Sequence, residues 1–302
     1  KGTQIIGAHS LQELVDKLEK PRKIMMMVRA GSAVDEFIEQ IVPYLDKGDI
    51  LIDGGNANYP DTNRRCIELA DKGIRFIGAG VSGGEEGARH GPSIMPGGDA
   101  SAWEFVKPIF QAIAAKTPAG EPCCDWVGDQ GAGHFVKMVH NGIEYGDMQL
   151  ICEAYQFMKD GLCMTHEEMH ETFQQWQKTE LDSYLIDITT DILAYKDGDG
   201  SPLVEKILDT AGQKGTGKWT GINALDMGIP LTLITESVFA RCISALKDQR
   251  TAAARLFPHS VCKIEGDRVQ WLEALRQTLL ASKIVSYAQG FMLMHEASET
   301  YG

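Results

Sequence analysis

Ile50-Leu51-Ile52-Asp53-Gly54-Gly55-Asn56 is a short apolar run that stops on an acid and two glycines. A strand buried on both faces reads this way when its carboxyl end opens into a loop. The pattern also occurs upstream, where Ile24 to Val28 ends on Arg29-Ala30-Gly31, and downstream, where Ile74 to Ile77 runs into glycine-rich sequence. Between the runs lie amphipathic stretches with helix starts. Ser10-Leu11-Gln12-Glu13 and Ser101-Ala102-Trp103-Glu104 both fit the capping box, in which Ser and Glu satisfy free amides of the first turn. Strand and helix in alternation imply a parallel sheet with right-handed crossovers. Ligands of such sheets bind at the carboxyl ends of the strands, where these loops fall.

After Asp125 the character changes. Residues 131–160 read as one long helix, helical patterns continue at 166–194, 202–210, 235–255 and 269–300, and no alternating strand is evident. An α/β domain over residues 1–129 followed by an all-helical domain over 130–302 is the simplest division.

The 302 residues carry 29 Lys and Arg against 42 Asp and Glu, a net charge of -13 that opposes general binding of nucleic acid. A small phosphorylated ligand held by a few local cations is compatible with that balance. No run approaches the ~18 apolar residues of a membrane span. The seven cysteines contain no C-x-x-C pair, so neither a zinc site nor a disulfide framework is indicated, and a reducing, cytoplasmic compartment is expected. Lys1-Gly2-Thr3-Gln4 is neither a signal peptide nor an initiator Met, and the chain stops just after a helix-like stretch, so both ends are expected to be cut.

Two motifs invite a wrong reading. Gly78-Ala79-Gly80-Val81-Ser82-Gly83 matches G-x-G-x-x-G after an expected strand. The dinucleotide fingerprint needs a helix opening at its third glycine, and Gly84 to Pro92, with three glycines and a proline, does not read as one. An anion-binding loop of exposed amides is the better reading. Gly212-Gln213-Lys214-Gly215-Thr216-Gly217-Lys218-Trp219 approaches the phosphate-binding P-loop but has Trp219 where a Mg²⁺-binding hydroxyl is required. Its lysines and glycines still suit a small anion on a loop.

The most informative segment runs from Gly131 to Gly146. Helical spacing gathers Lys137, His140, Asn141 and Glu144 on one face, while Phe135, Met138, Val139 and Ile143 take the others. A solvated face is the ordinary meaning of such a stripe. Against it stand the apolar remainder of the helix and Gly142 and Gly146, which cost about 1 kcal/mol each in a helix interior and imply close neighbours. A half-buried lysine can exchange a proton near neutrality, and a carboxyl two turns away supplies a second proton-transfer group. The chemistry suits a dehydrogenase or lyase acting on a small polyol acid.

Asp53 to Asn56, Val81 to Ala88, Lys137 to Tyr145 and Gly212 to Trp219, in that order, resemble the decarboxylating 6-phosphogluconate dehydrogenases. The wider β-hydroxyacid dehydrogenases share weaker forms of the first three motifs. The resemblance implies an α/β Rossmann-like dinucleotide-binding domain, N-terminally truncated, and an all-α domain, C-terminally truncated. It implies Lys137 as general base toward the C3 hydroxyl and Glu144 as the acid that protonates C1. It further implies Asn56, Ser82, Gly83, Gly84, His140 and Asn141 around the sugar acid, with Tyr145, Lys214 and Arg241 at its phosphate. Val28, Arg29, Ala30 and Asn56 would line NADP, no metal is required, and the whole protein would be a homodimer. The strand that distinguishes NADP from NAD is absent, so cofactor preference is not legible in the residues present. The piece by itself is expected to be inactive. Alternatives are another β-hydroxyacid dehydrogenase, such as one for 3-hydroxyisobutyrate, and a non-catalytic fragment that keeps the fold. A nucleotide hydrolase ranks last.

Overall fold

The computed structural model describes residues 4–257 and 264–302, so the first three residues and Cys262 lie outside the described part. It divides into two compact units, the first ending at Met138 and the second beginning at Val139.

The first unit runs α1 (Leu11–Lys17), β1 (Lys23–Met26), α2 (Ser32–Ile41), β2 (Ile50–Asp53), α3 (Tyr59–Ala70), β3 (Arg75–Ser82), α4 (Gly84–His90), β4 (Ser93–Gly98), α5 (Trp103–Ile113) and β5 (Gly128–Asp129). The five strands form one sheet in sequence order. The β1–β2 and β2–β3 pairs are parallel, with Ile24 opposite Leu51 and Leu51 opposite Phe76. One apolar cluster gathers Val34, Ile38 and Ile41 of α2 with Leu51 and Phe76, and a second gathers Ile50, Ile52 and Ile77 with Val106 and Phe110 of α5. β2 is thus buried on both faces, as its sequence requires.

Four expectations need correction here. The sheet is not all parallel, because β4 returns antiparallel to β3, pairing Ile77 with Gly98 and Ser82 with Ser93. β1 is shorter than Ile24 to Val28, and Met25 and Met27 are exposed, since only the alternate residues Ile24 and Met26 pack into the apolar cluster. β3 continues through Gly78 and Gly80 to Ser82, so these glycines sit inside a strand, and a helix does open after Gly83, contrary to the sequence reading. That helix, α4, has only seven residues and contains Gly87 packed against Pro92, which is why its sequence has no apolar period. Finally, Ser101 does not cap a helix. Asp99 accepts from the Ser101 amide and starts a short 3-10 turn ahead of α5, whereas Ser10 does cap α1 through the Glu13 amide.

α6 (Ala132–Gln156) runs from the first unit into the second and ends in a π-turn over Phe157–Gly161. The second unit continues with α7 (His166–Trp176), α8 (Tyr184–Ala194), α9 (Thr216–Met227), α10 (Thr232–Ala245), α11 (Lys247–Leu256) and α12 (Arg268–Tyr301). The pattern at 166–194 resolves into two helices, and that at 202–210 into a 3-10 turn at Leu203–Lys206. α9 starts at Thr216 with Gly215 as its cap, so Lys218 and Trp219 are helical and only Gly212 to Gly215 remain loop. The core of this unit collects Ile151, Met158, Met169, Phe173, Trp176, Ile186 and Leu279. No described helix is long and apolar enough to cross a membrane.

Candidate active site

Lys137 lies in the second turn of α6 and is 4% exposed. The backbone of β3 comes close enough to leave no room for a side chain at Gly80. A Cβ there would stand 3.0 Å from the Gly133 carbonyl oxygen and 3.1 Å from Lys137 Cγ, and nearer still to Lys137 Cβ. One turn before Lys137, the buried His134 fastens the start of α6 to the sheet. Its Nε2 stands 3.1 Å from the Asp53 carbonyl oxygen and its Nδ1 stands 2.7 Å from Thr62 Oγ1. A carbonyl can only accept, so the ring carries its proton on Nε2 and accepts from Thr62. Burial holds the His134 pKa below its ordinary value, with the Asp53 charge opposing, so the ring stays neutral. The Gly131 N–H donates to Asn63 Oδ1 at 2.8 Å.

Asn56, at the mouth of β2, has φ of 55° and is bonded twice to the end of β3. Its Oδ1 accepts from the Val81 amide at 2.9 Å and its Nδ2 donates to the Val81 carbonyl at 3.1 Å. One amide hydrogen and one oxygen lone pair remain for a ligand. Ser82 follows directly, half-buried, then Gly83 and Gly84 with φ of 141° and 55°, both exposed. Val28 and Ala30 are half-buried and Arg29 exposed beyond the carboxyl end of β1. Helix α2 begins immediately after, at Ser32, with Gly31 as its cap.

In the second unit, Asn141 Nδ2 donates to Thr216 Oγ1 at 2.9 Å, and its Oδ1 stands 3.2 Å from His140 Nδ1. His140 Nδ1 also stands 3.7 Å from a Glu144 carboxylate oxygen, and both side chains are about two-fifths exposed. The two α6 glycines have the close neighbours their sequence implied. Gly142 packs on Thr220 and Ile234, and Gly146 on Ser286 and Leu233. Tyr145 carries the Arg241 guanidinium 3.6 Å from its ring centroid, and Gly217 packs on the ring edge. Lys214 is exposed on the loop before α9.

Sequence reasoning passed over several supporting groups. Thr62 and Asp53 hold His134, Thr216 holds Asn141, and Asp147 pairs with Lys283 of α12 at 2.9 Å. Thr216 stood inside a quoted motif. Nothing in the spacing of Asp147 and Lys283 links them. No cluster of three or more metal-ligating side chains occurs among the described residues.

Residues 133–302 match the family described as 6-phosphogluconate dehydrogenase, C-terminal domain, and residues 1–128 the NAD binding domain of 6-phosphogluconate dehydrogenase. The chain belongs to the 6-phosphogluconate dehydrogenase family. The decarboxylating 6-phosphogluconate dehydrogenase of Haemophilus influenzae is 74% identical over 302 residues, which is all of this chain and 62% of that protein. That of Homo sapiens is 62% identical over 303 residues, covering 63% of its length. The chain therefore spans a little under two thirds of these relatives. Among solved structures, the Plasmodium falciparum 6-phosphogluconate dehydrogenase superposes with a TM-score of 0.92 at 44% identity, over 96% of this chain and 63% of that one. That protein is described in its apo form, with its cofactor NADP+ and with its substrate 6-phosphogluconate. A Mycobacterium tuberculosis 3-hydroxyisobutyrate dehydrogenase, 19% identical with a TM-score of 0.54, shares the fold.

Proposed function

We propose that the protein carrying this sequence converts 6-phospho-D-gluconate to D-ribulose 5-phosphate and CO₂ while reducing NADP⁺ to NADPH. The observation that carries the reading is a lysine, Lys137, 4% exposed on a helix against which β3 packs at Gly80. A lysine amine placed against a bound hydroxyl is within reach to take its proton. Lys137 takes the proton of the C3 hydroxyl as C3 is oxidised. The resulting 3-keto acid loses its carboxyl as CO₂, and the ammonium of Lys137 then faces the developing enolate oxygen and stabilises its charge. Glu144 delivers a proton to C1 of the enediol. Asn56, Ser82, Gly83, Gly84, His140 and Asn141 hold the sugar acid, and Tyr145, Lys214 and Arg241 take the phosphate.

Val28, Arg29, Ala30 and Asn56 would hold NADP, which supplies the hydride acceptor. They fit, because they lie beyond the carboxyl ends of parallel strands β1 and β2, with the α2 N-terminus opening beside them at Gly31. The homodimer, the pentose phosphate pathway and the cytoplasm belong to the same reading. Free thiols at Cys66, Cys123, Cys124, Cys152, Cys163 and Cys242 suit a reducing compartment. NADPH formation with 6-phosphogluconate by the whole protein, lost in Lys137→Met with substrate binding retained, is the expected result. Full turnover in that variant would refute the assignment of the base.

A further inference from the structure

We infer that Arg250, through Asp209 and Ser244, is a positioning residue that fixes Arg241 at the phosphate end of the substrate. The inference rests on the reading of Tyr145, Lys214 and Arg241 as the phosphate site. Arg241 is held on three sides. Its guanidinium stacks on Tyr145, Nη1 donates to the Gly212 carbonyl at 2.7 Å, and Nη2 stands 3.6 Å from Met148 Sδ. Tyr145 and Met148 belong to α6, whose packing sets them. Gly212 belongs to an exposed connection between the 3-10 turn at Leu203–Lys206 and α9, in which Ile207 and Leu208 are 63% and 66% exposed. A connection that buries so little apolar surface is held in place by its polar bonds.

Those bonds converge on Arg250. Its Nη2 donates to the Asp209 carbonyl at 3.0 Å and to the Ser244 carbonyl at 2.9 Å, and its Nη1 meets the Asp209 carboxylate at 3.0 Å. Lys247 pairs with the other oxygen of that carboxylate. The Ser244 carbonyl lies in the last turn of α10, where carbonyls lack helical partners, so Arg250 closes the helix end and grips the connection together. Ser244 completes the clasp. Its hydroxyl donates to the Arg241 carbonyl at 2.7 Å and accepts from the Ala211 amide at 2.9 Å, next to Gly212. The bonds thus run from Arg250 to Asp209 and Ser244, from Ser244 to Ala211 and the Arg241 backbone, and from Gly212, the next residue in the chain, to the Arg241 guanidinium, without Arg250 touching Arg241. A planar donor fork gripping two carbonyls and a carboxylate is a role that lysine fills only in part.

The experiment compares 6-phosphogluconate with gluconate in the whole protein, for Arg250→Ala, Arg250→Lys, Ser244→Ala and Arg241→Ala, with melting curves for each. Arg250→Ala is expected to raise KM for 6-phosphogluconate about tenfold while kcat stays within about twofold. Its kcat/KM for gluconate, which has no phosphate to place, stays at the parent value. Arg250→Lys recovers part of the loss, and Ser244→Ala reproduces it more weakly, which keeps the test available where Arg250→Ala does not fold. An unchanged KM in Arg250→Ala and Ser244→Ala, with a raised KM in Arg241→Ala, overturns the inference and leaves the phosphate site standing. Equal losses on both substrates together with a lowered melting midpoint assign Arg250 to fold maintenance and also overturn it. No change in Arg241→Ala refutes the phosphate site itself.

Discussion

Replacing Gly80 by alanine should uncouple the position of Lys137 from the rest of the fold. The added methyl would meet Gly133 O at 3.0 Å and Lys137 Cγ at 3.1 Å, with Lys137 Cβ closer than either. Ordinary carbon contacts lie near 3.5–4.0 Å, so β3 and α6 must separate by roughly 1 Å. Neither neighbour can yield easily. The Gly133 oxygen is backbone, Lys137 Cβ is fixed to the helix, and His134 pins the same turn to Asp53 and Thr62. Overpacking of this kind costs about 1–3 kcal/mol, which lowers the melting midpoint by about 2–4 °C per kcal/mol in a protein of this size. Displacement of the proposed base by that distance should lower kcat of the whole protein roughly 10²-fold. The control is Gly198→Ala, where an added Cβ meets nothing within 4 Å. Circular-dichroism melts and steady-state NADPH formation measure the two effects. Parental melting and kcat in Gly80→Ala would refute the claim that strand-to-helix contact sets Lys137.

The neutral, buried His134 makes stability depend on pH. Its folded pKa lies below the ordinary 6.5, so the unfolded chain binds more protons, and its contribution is present above about 6.5 and lost as pH falls below that value. Urea midpoints should therefore fall between about pH 7.5 and 5.5 in the parent and fall less in His134→Gln; parallel slopes would count against the assignment. Lys283→Met should destabilise by about 3–5 kcal/mol, because Asp147 is 4% exposed and its Oδ1 has no hydrogen-bond partner, leaving the carboxylate with none at all. Burial already pushes that carboxyl above its usual range despite Lys283, so adding Asp147→Asn should restore part of the loss, and an additive double variant would contradict the pairing. Glu144→Gln should chiefly suppress incorporation of solvent hydrogen at C1 of the product, and unaltered incorporation would remove Glu144 from that step.

Much of the candidate site is legible in the chain because helical spacing is a local property. Lys137, His140, Asn141 and Glu144 share a face by virtue of 3.6 residues per turn, and α6 is one unbroken helix over all of them. The apolar runs behind β1, β2 and β3 likewise reveal themselves, since strands covered by helices must be apolar. The reading failed where a residue's reason lay in a distant neighbour. Gly78 and Gly80 mimic a nucleotide fingerprint, yet they are small because Thr62 and His134 crowd one and Lys137 the other. The helix from Gly84 to His90 has no apolar face to announce it. β4 runs antiparallel to β3 because residues 83–92 form a short turn and helix rather than a full crossover.

The sequence by itself determined the alternating first part, the helical second part, the polar stripe and the family. Each depends on local period or on motifs in fixed order. Only the tertiary structure decided that Lys137 is buried beneath Gly80, that His134 stays neutral, and that Arg241 is stacked on Tyr145 and tied to Gly212. These depend on contacts between residues tens of positions apart, which periodicity does not encode and packing alone brings together.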